Sequence, residues 1–334
     1  MNIVQKIWQR CKRKAVYFDG NARHALGMNK TIYQNARCKR ILLYHNVCKT
    51  DPHKFNTLFI TVERLEEHLK FYKKHFNVIS LDDYYAGNFS DEKYNICLTF
   101  DDGLANNYRY ILPLLNKYQI PATFFITGIR DAGFDILWND FLSTASKYGP
   151  EKFNYKSYSC HKNRNGKYVT ETGQLLADEL RKTGFEEKAE LMSYLETIVD
   201  FRANSNDDDY WLQTTSDQIR ALSASPLVTI GAHGYYHNDL AGIPVTDAFE
   251  EMRRCKAYLE EITGKAIKGI AFPYGSYNAD VLKMAGMAGF SQLLATDYLN
   301  PHDGANPGMR ERLTVNPFIS TANQMNAIIR GHYA

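Results

Sequence analysis

The chain has 334 residues, 44% of them hydrophobic and 23% charged, with a formal net charge of +3. That length and balance suit one large globular domain or two small ones, and they exclude a disordered chain, which would lack the apolar content to offset its ordering entropy. The small net charge hides an asymmetry. Residues 1–40 carry ten Lys and Arg against the single acid Asp19, so the rest of the chain is net acidic and no nucleic-acid partner is expected.

In chain order, "MNIVQKIWQRCKRKAVYF" comes first. On a helix, Ile3, Ile7, Trp8 and Cys11 share one face and Lys and Arg dominate the other. Such a helix either lies on an anionic membrane surface or packs on its own domain, and both readings stay open. Residues 1–37 are set apart as a basic segment, and 38–334 as one domain. The charges at Lys12–Lys14 are followed by "AVYFDGNARHALG", too broken and polar for a signal peptide. No run approaches the roughly 18 apolar residues of a membrane span. The six cysteines (Cys11, Cys38, Cys48, Cys97, Cys160 and Cys255) form no CxxC pair. They read as free thiols in a reducing compartment, without a structural zinc knuckle. The expected location is cytoplasmic, with peripheral contact at the inner membrane face if the basic helix binds lipid. Tyrosine is abundant, at 23 residues, which fits either half-buried packing or contact with sugars.

"RILLYHNV" (40–47) predicts a buried strand and Thr61–Phe76 a helix opened by Thr61. "NVISLDDYY" predicts a short strand, and "YNICLTF" (Tyr94–Phe100) another that ends at Asp101 and Asp102. "NYRYILPLLNKYQI" predicts a helix and "PATFFITG" a strand. This alternation implies βα units, parallel strands, and ligands at the carboxyl ends. The rhythm breaks over about 135–215, a polar, Tyr-rich stretch read as a helical insertion without a core of its own. Trp138, in "LWND", is there to stack on a sugar or to serve structure. The rhythm then resumes: strand "LVTIGAH", a helix closed by Gly264, strand "IKGIAFPYG", helix "ADVLKMAGMAGF", and strands "SQLLATD" and "ERLTVNPF".

Neighbouring residues at a strand end point to different sides, so Asp101 and Asp102 can do two jobs: one ligates a cation while the other stays free as a base. Alone, Asp-Asp-Gly is also an ordinary turn. His233 and His237, four apart at a second strand end, reach a single metal if they sit on a helical turn. Two imidazoles and one carboxylate leave positions open for water and substrate.

With these residues in view, the chain resembles the polysaccharide deacetylases of the NodB-homology type, carbohydrate esterase family 4. "TFDDG" (99–103), "PATFFITG", "GAHGYYHNDL" (231–240) and "AFPYG" (271–275) carry the resemblance, over about 38–135 and 215–318. It implies an irregular, incompletely closed α/β barrel and metal-dependent removal of N-acetyl groups from amino sugars of a glycan. It also implies Asp101 as catalytic base and Asp102, His233 and His237 as metal ligands. The Tyr274 backbone N–H would hold the oxyanion. Zinc suits that donor set, and cobalt, nickel, manganese or iron could occupy it.

Two departures matter. Where many members carry an Arg before the third motif, this chain has Ala271; Arg312, in "RERLTV", is the candidate substitute. The family's closing Leu-x-His is missing near the C-terminus, but Leu43-Tyr44-His45 offers one at the front, so His45 is assigned as the general acid. Asp297 is a loose candidate for the carboxylate that tunes it. Two rival readings keep the resemblance: a deacetylase or deformylase of a lipid-linked sugar, and an inactive glycan-binding relative. A phosphatase reading lacks the DxD spacing.

Overall fold

The computed structural model describes residues 3–203 and 205–334, with side chains from residue 5 onward except 205 and 206. All seven residues of strand Tyr94–Phe100 are buried, as a parallel strand covered on both faces requires. Around it runs a ring of parallel strands: Lys39–Tyr44, Tyr94–Phe100, Ala122–Ile126, Val228–Ala232, Gly269–Ala271, Gln292–Ala295 and Met309–Glu311. The last segment breaks at Arg312. Its first half pairs with Gln292–Ala295, and its second half, Leu313–Thr314, pairs with Leu42 and Leu43 of the first strand. One broken segment thus nearly closes a (β/α) barrel, and Arg312 sits at the seam.

The period of two along each strand decides what lies inside. Ile41, Cys97, Phe125, Ala271 and Leu294 form the small cluster within the barrel, with Ile79, Leu81 and Tyr84 closing it below. Their neighbours Leu42, Ile96, Leu98, Phe124 and Ile270 face outward into the main core under the helices. Continuing the inward parity past the strand ends gives Leu43 and His45 on the first strand, Thr99 and Asp101 on the second, and His233 on Val228–Ala232. The sequence pattern therefore aims His45, Thr99, Asp101 and His233 at the carboxyl-end mouth.

Several expected elements differ. "LDDYY" is helical, Leu81–Ala86, because the Ser80 hydroxyl caps it by accepting from the Asp83 N–H at 3.0 Å; the strand before it is only Phe76–Val78. The expected helical insertion holds helices Trp138–Tyr148 and Phe185–Glu196, but also a three-stranded antiparallel sheet, Lys152–Tyr155, Tyr158–Lys162 and Tyr168–Thr170. It also has a core, contrary to expectation: Trp138, Phe141, Phe153, Leu176 and Leu195 cluster together and continue onto rim residues Phe59 and Leu104.

The basic segment forms helix Ile3–Ala25 and the short helix Lys30–Asn35. It is not wholly separate from the domain, since Tyr33 is buried in the main core. The Asn323 amide donates to the Tyr17 carbonyl at 2.9 Å, and Gly20 is buried beside it. Residues 5–15, by contrast, are all exposed. Met1 and Asn2 lie outside the described residues. No described helix is long and apolar enough to cross a membrane.

Candidate active site

Asp101 and Asp102 go to different partners. Asp101, 3% exposed, is bracketed by Arg312: Nη1 donates to Oδ1 at 2.7 Å and Nη2 to Oδ2 at 2.8 Å. Arg312 is itself 4% exposed and is steadied by Thr99 Oγ1 at 3.3 Å and the Ala295 carbonyl at 3.4 Å. A guanidinium fork on both oxygens fixes the carboxylate plane and compensates its buried charge.

Asp102 turns the other way. Its φ of 72° is left-handed, and Gly103 follows at 70°. A Cβ at Gly103 would approach Ile126 Cγ2 to 2.8 Å, so glycine is required there by space as well as by φ. The turn brings Asp102 Oδ1 to 3.3 Å from both His233 Nε2 and His237 Nε2. The three donor atoms lie within 4.8 Å of one another.

The histidines converge differently from the expected helical turn. His233 directly follows its strand, Gly234 reverses the backbone at φ 74°, and His237 takes φ 58°. His233 Nδ1 donates to the Ala271 carbonyl at 2.8 Å, which leaves the Nε2 lone pair facing Asp102. His237 Nδ1 meets the Tyr274 hydroxyl at 3.2 Å. Both rings thus present Nε2 to one point, and a spacing of 3.3 Å is what two donors about 2 Å from a shared ion make. The donor set fits a divalent metal, with the outer ring nitrogens oriented as ligating histidines usually are.

Electrostatics agree with that fit. Burial works to raise the Asp102 carboxyl, but the His233 and His237 imidazoles beside it hold it well below the usual carboxylate range. Burial opposes charge on His233, yet Asp101 and Asp102 raise its imidazole; burial lowers His237. Three of the six non-glycine residues with left-handed φ among the described residues are Asp102, His237 and Tyr274. Strain of about 1–3 kcal/mol each persists only where the surroundings hold it, and here it is gathered in one place.

Asp101, Asp102, His233, His237, His45 and Tyr274 line one cavity of about 270 Å³. Arg312 stands behind Asp101. Burial pushes the His45 imidazole below its usual value, against the pull of Asp102 and Asp101. Asp297 is not among these residues: it is exposed, and Thr296 takes its place in the lining. Trp138 is 2% exposed and donates from Nε1 to the His237 carbonyl at 2.9 Å, so it is a structural brace for the histidine loop and not a sugar platform.

The insertion supplies further residues that sequence reasoning missed. Asn139 lines the cavity. Asp140, 8% exposed, is pushed well above the usual carboxylate range by burial and the charge of Asp102. Arg181 stacks on the Tyr274 ring at 4.4 Å and pairs with Asp239 at 2.6 Å. Lys188, 1% exposed and pushed down to about 8 by burial, donates to the side chain of Asn238, next to His237. No motif spacing ties residues 138–188 to 237–239; only the fold does.

A family model described as polysaccharide deacetylase matches residues 90–174 and 201–293, just over half of the chain. The chain belongs to the polysaccharide deacetylase family. Solved structures agree on the fold of this deacetylase-family chain. The deacetylase PplD of Streptococcus pyogenes, determined with acetate, is similar at 17% identity and a TM-score of 0.53, over 87% of this chain and 98% of that one. IcaB of Ammonifex degensii is similar at 19% identity and 0.53, over 89% and 98%. The polysaccharide deacetylase BC0361 of Bacillus cereus is similar at 16% identity and 0.53, over 88% and 69%. No curated protein matches the chain.

Proposed function

We propose that this family member hydrolyses N-acetyl groups of amino sugars in a glycan, with a divalent metal held by Asp102, His233 and His237. The observation that carries the reading is the convergence of those three donors beside an Asp101 whose two oxygens are fixed by Arg312, in one cavity. A bound divalent ion would acidify water and polarise the acetyl carbonyl; zinc suits two imidazoles and a carboxylate, and cobalt, nickel, manganese or iron could serve.

The chain's own residues do the rest. Asp101 accepts the proton of the attacking water on an oxygen whose orientation Arg312 fixes. The Tyr274 backbone N–H donates to the oxygen that becomes negative as the carbonyl turns tetrahedral. His45 gives its proton to the departing nitrogen, so that an amine leaves and not an amide anion. His45 can hold this place because its strand is the direct neighbour of the final strand, Leu42 opposite Leu313. The test is acetate release from N-acetylglucosamine oligomers by metal-loaded protein. Asp101→Asn should keep its metal and lose turnover; full activity in that variant would remove Asp101 as the base.

A lipid-linked sugar is the second reading, and one feature favours it. Residues 5–15 are exposed and combine Lys6, Arg10, Lys12, Arg13 and Lys14 with Ile7 and Trp8, 58% and 63% exposed. We assign the exposed start of the 1–37 segment to surface contact and 38–334 to the deacetylase domain, at the inner face of a membrane in the cytoplasm. Vesicles of phosphatidylglycerol should carry the full chain in flotation and not a chain lacking residues 1–20. Equal flotation of both would end this reading.

A further inference from the structure

A second, larger opening of about 570 Å³ adjoins the catalytic cavity, and Asn139 lines both. It lies in the insertion, between helix Trp138–Tyr148 and the turn that joins strands Tyr158–Lys162 and Tyr168–Thr170. Its charge is lopsided: Lys54, Lys147, Lys162, Arg164 and Lys167 line it, against the single acid Glu151. Two of these cations are answered, Lys54 by Asp207 and Lys162 by Glu151 at 3.5 Å. Three are not. Lys147 reaches only the Lys54 carbonyl, at 3.5 Å, beside the Phe55 ring, and the Arg164 and Lys167 side chains have no acidic partner among the described residues.

The turn that carries two of them is well fixed. Asn163 Oδ1 accepts from the N–H groups of Asn165 at 2.9 Å and Lys167 at 3.1 Å, which sets Arg164 and Lys167 on one short hairpin end. Unpaired like charges around one concave surface repel each other and focus a positive potential into it. A cleft built for a neutral sugar chain needs hydroxyl partners and ring faces, not three free cations. Phe55 and Tyr168 give this one an aromatic edge as well.

We propose that this cleft binds an oxyanion group, phosphate or carboxylate, carried by the substrate beside its acetylated sugar, so that the substrate is an acidic glycan or a phosphorylated sugar and not a neutral polymer. The proposal rests on the deacetylase reading for where the acetylated sugar sits; the anion site itself stands on the cleft. Arg164 and Lys167 supply the charge, and Asn139, at the shared wall, spans the anion site and the reacting sugar. Asn139 Nδ2 donates to Asp140 Oδ1 at 3.3 Å, and its Oδ1 has no hydrogen-bond partner among the described residues.

The test is calorimetric binding to the metal-loaded full chain, wild type beside the double variant Arg164→Gln/Lys167→Gln, whose positions are exposed. Three probes are used: neutral N-acetylglucosamine tetramer, a glucuronate-alternating N-acetylglucosamine tetramer, and UDP-N-acetylglucosamine. At least one anionic probe should bind about tenfold more tightly than the neutral tetramer, lose that advantage in the double variant, and weaken with salt. Preference for the glucuronate probe identifies a carboxylate, and preference for the nucleotide sugar a phosphate. Equal affinity for all three, or an anionic preference that survives the double substitution, overturns the proposal. Hydrolysis of 4-nitrophenyl acetate, measured in parallel, should be unchanged in the variant. Its absence in wild type would count against the deacetylase reading and leave the binding result to judge the cleft.

Discussion

Arg312 holds both oxygens of Asp101 at 2.7 and 2.8 Å from the far end of the chain, across the seam where the barrel nearly closes. It does so from the break between Met309–Glu311 and Leu313–Thr314, where one residue leaves the ladder and its side chain is free to turn inward. The Ala271 carbonyl accepts from His233 Nδ1 at 2.8 Å, so that position serves the site through its backbone.

Arg312→Ala should therefore act on stability and turnover together. It leaves a buried carboxylate without its partner, a loss of about 3–5 kcal/mol. Turnover should fall about a hundredfold through misplacement of Asp101. Arg312→Lys separates the two effects: a single ammonium restores charge but not the fork, so the melting temperature should recover more than kcat. Near-normal kcat in Arg312→Ala would take the residue out of the site.

His45→Ala should lower acetate release by a factor of about 10²–10⁴, the usual share of a general acid, and leave metal content unchanged. The two readouts matter together. Loss of metal would make His45 a ligand, and unchanged turnover would make it a packing residue.

His68 offers a pH test remote from the chemistry. It is buried, its Nδ1 is 3.0 Å from the Tyr44 hydroxyl, and burial pushes its imidazole down to about 3. An unfolded histidine titrates near 6.5. Between those two values the unfolded chain binds a proton that the native chain refuses. The stabilisation is complete above about 6.5 and is lost as pH falls, by up to about 1.4 kcal/mol per pH unit. Urea unfolding at pH 7, 6 and 5 should show a steeper loss for wild type than for His68→Gln. Parallel profiles would contradict the assignment.

Much of the site was legible because strand periodicity and the motif residues coincide. The inward parity of Cys97, Thr99 and Asp101 on one strand, and of Leu43 and His45 on another, follows from alternation alone. The helix that Ser80 caps was missed, because Val78 and Ile79 before it favour a longer strand. The insertion was not legible. Its strands, such as Lys152–Tyr155, are half exposed and mix charge with tyrosine, so neither alternation nor propensity marks them. Trp138, Arg181 and Lys188 act on residues 237, 274 and 238 through tertiary contact, for which a sequence carries no local signal. Asp297 shows the converse hazard: an acid near a strand end in the sequence, but outside the cavity in the fold.

The most direct test of the account is metal content and acetate release measured on the same preparations, with 4-nitrophenyl acetate as a substrate that makes no demand on glycan recognition. Wild-type protein should carry about one divalent ion per chain, lost in His233→Ala. Its activity should disappear with a chelator and return with added zinc or cobalt. Wild-type protein that binds no ion under loading, or that releases acetate equally well with and without the chelator, would contradict it.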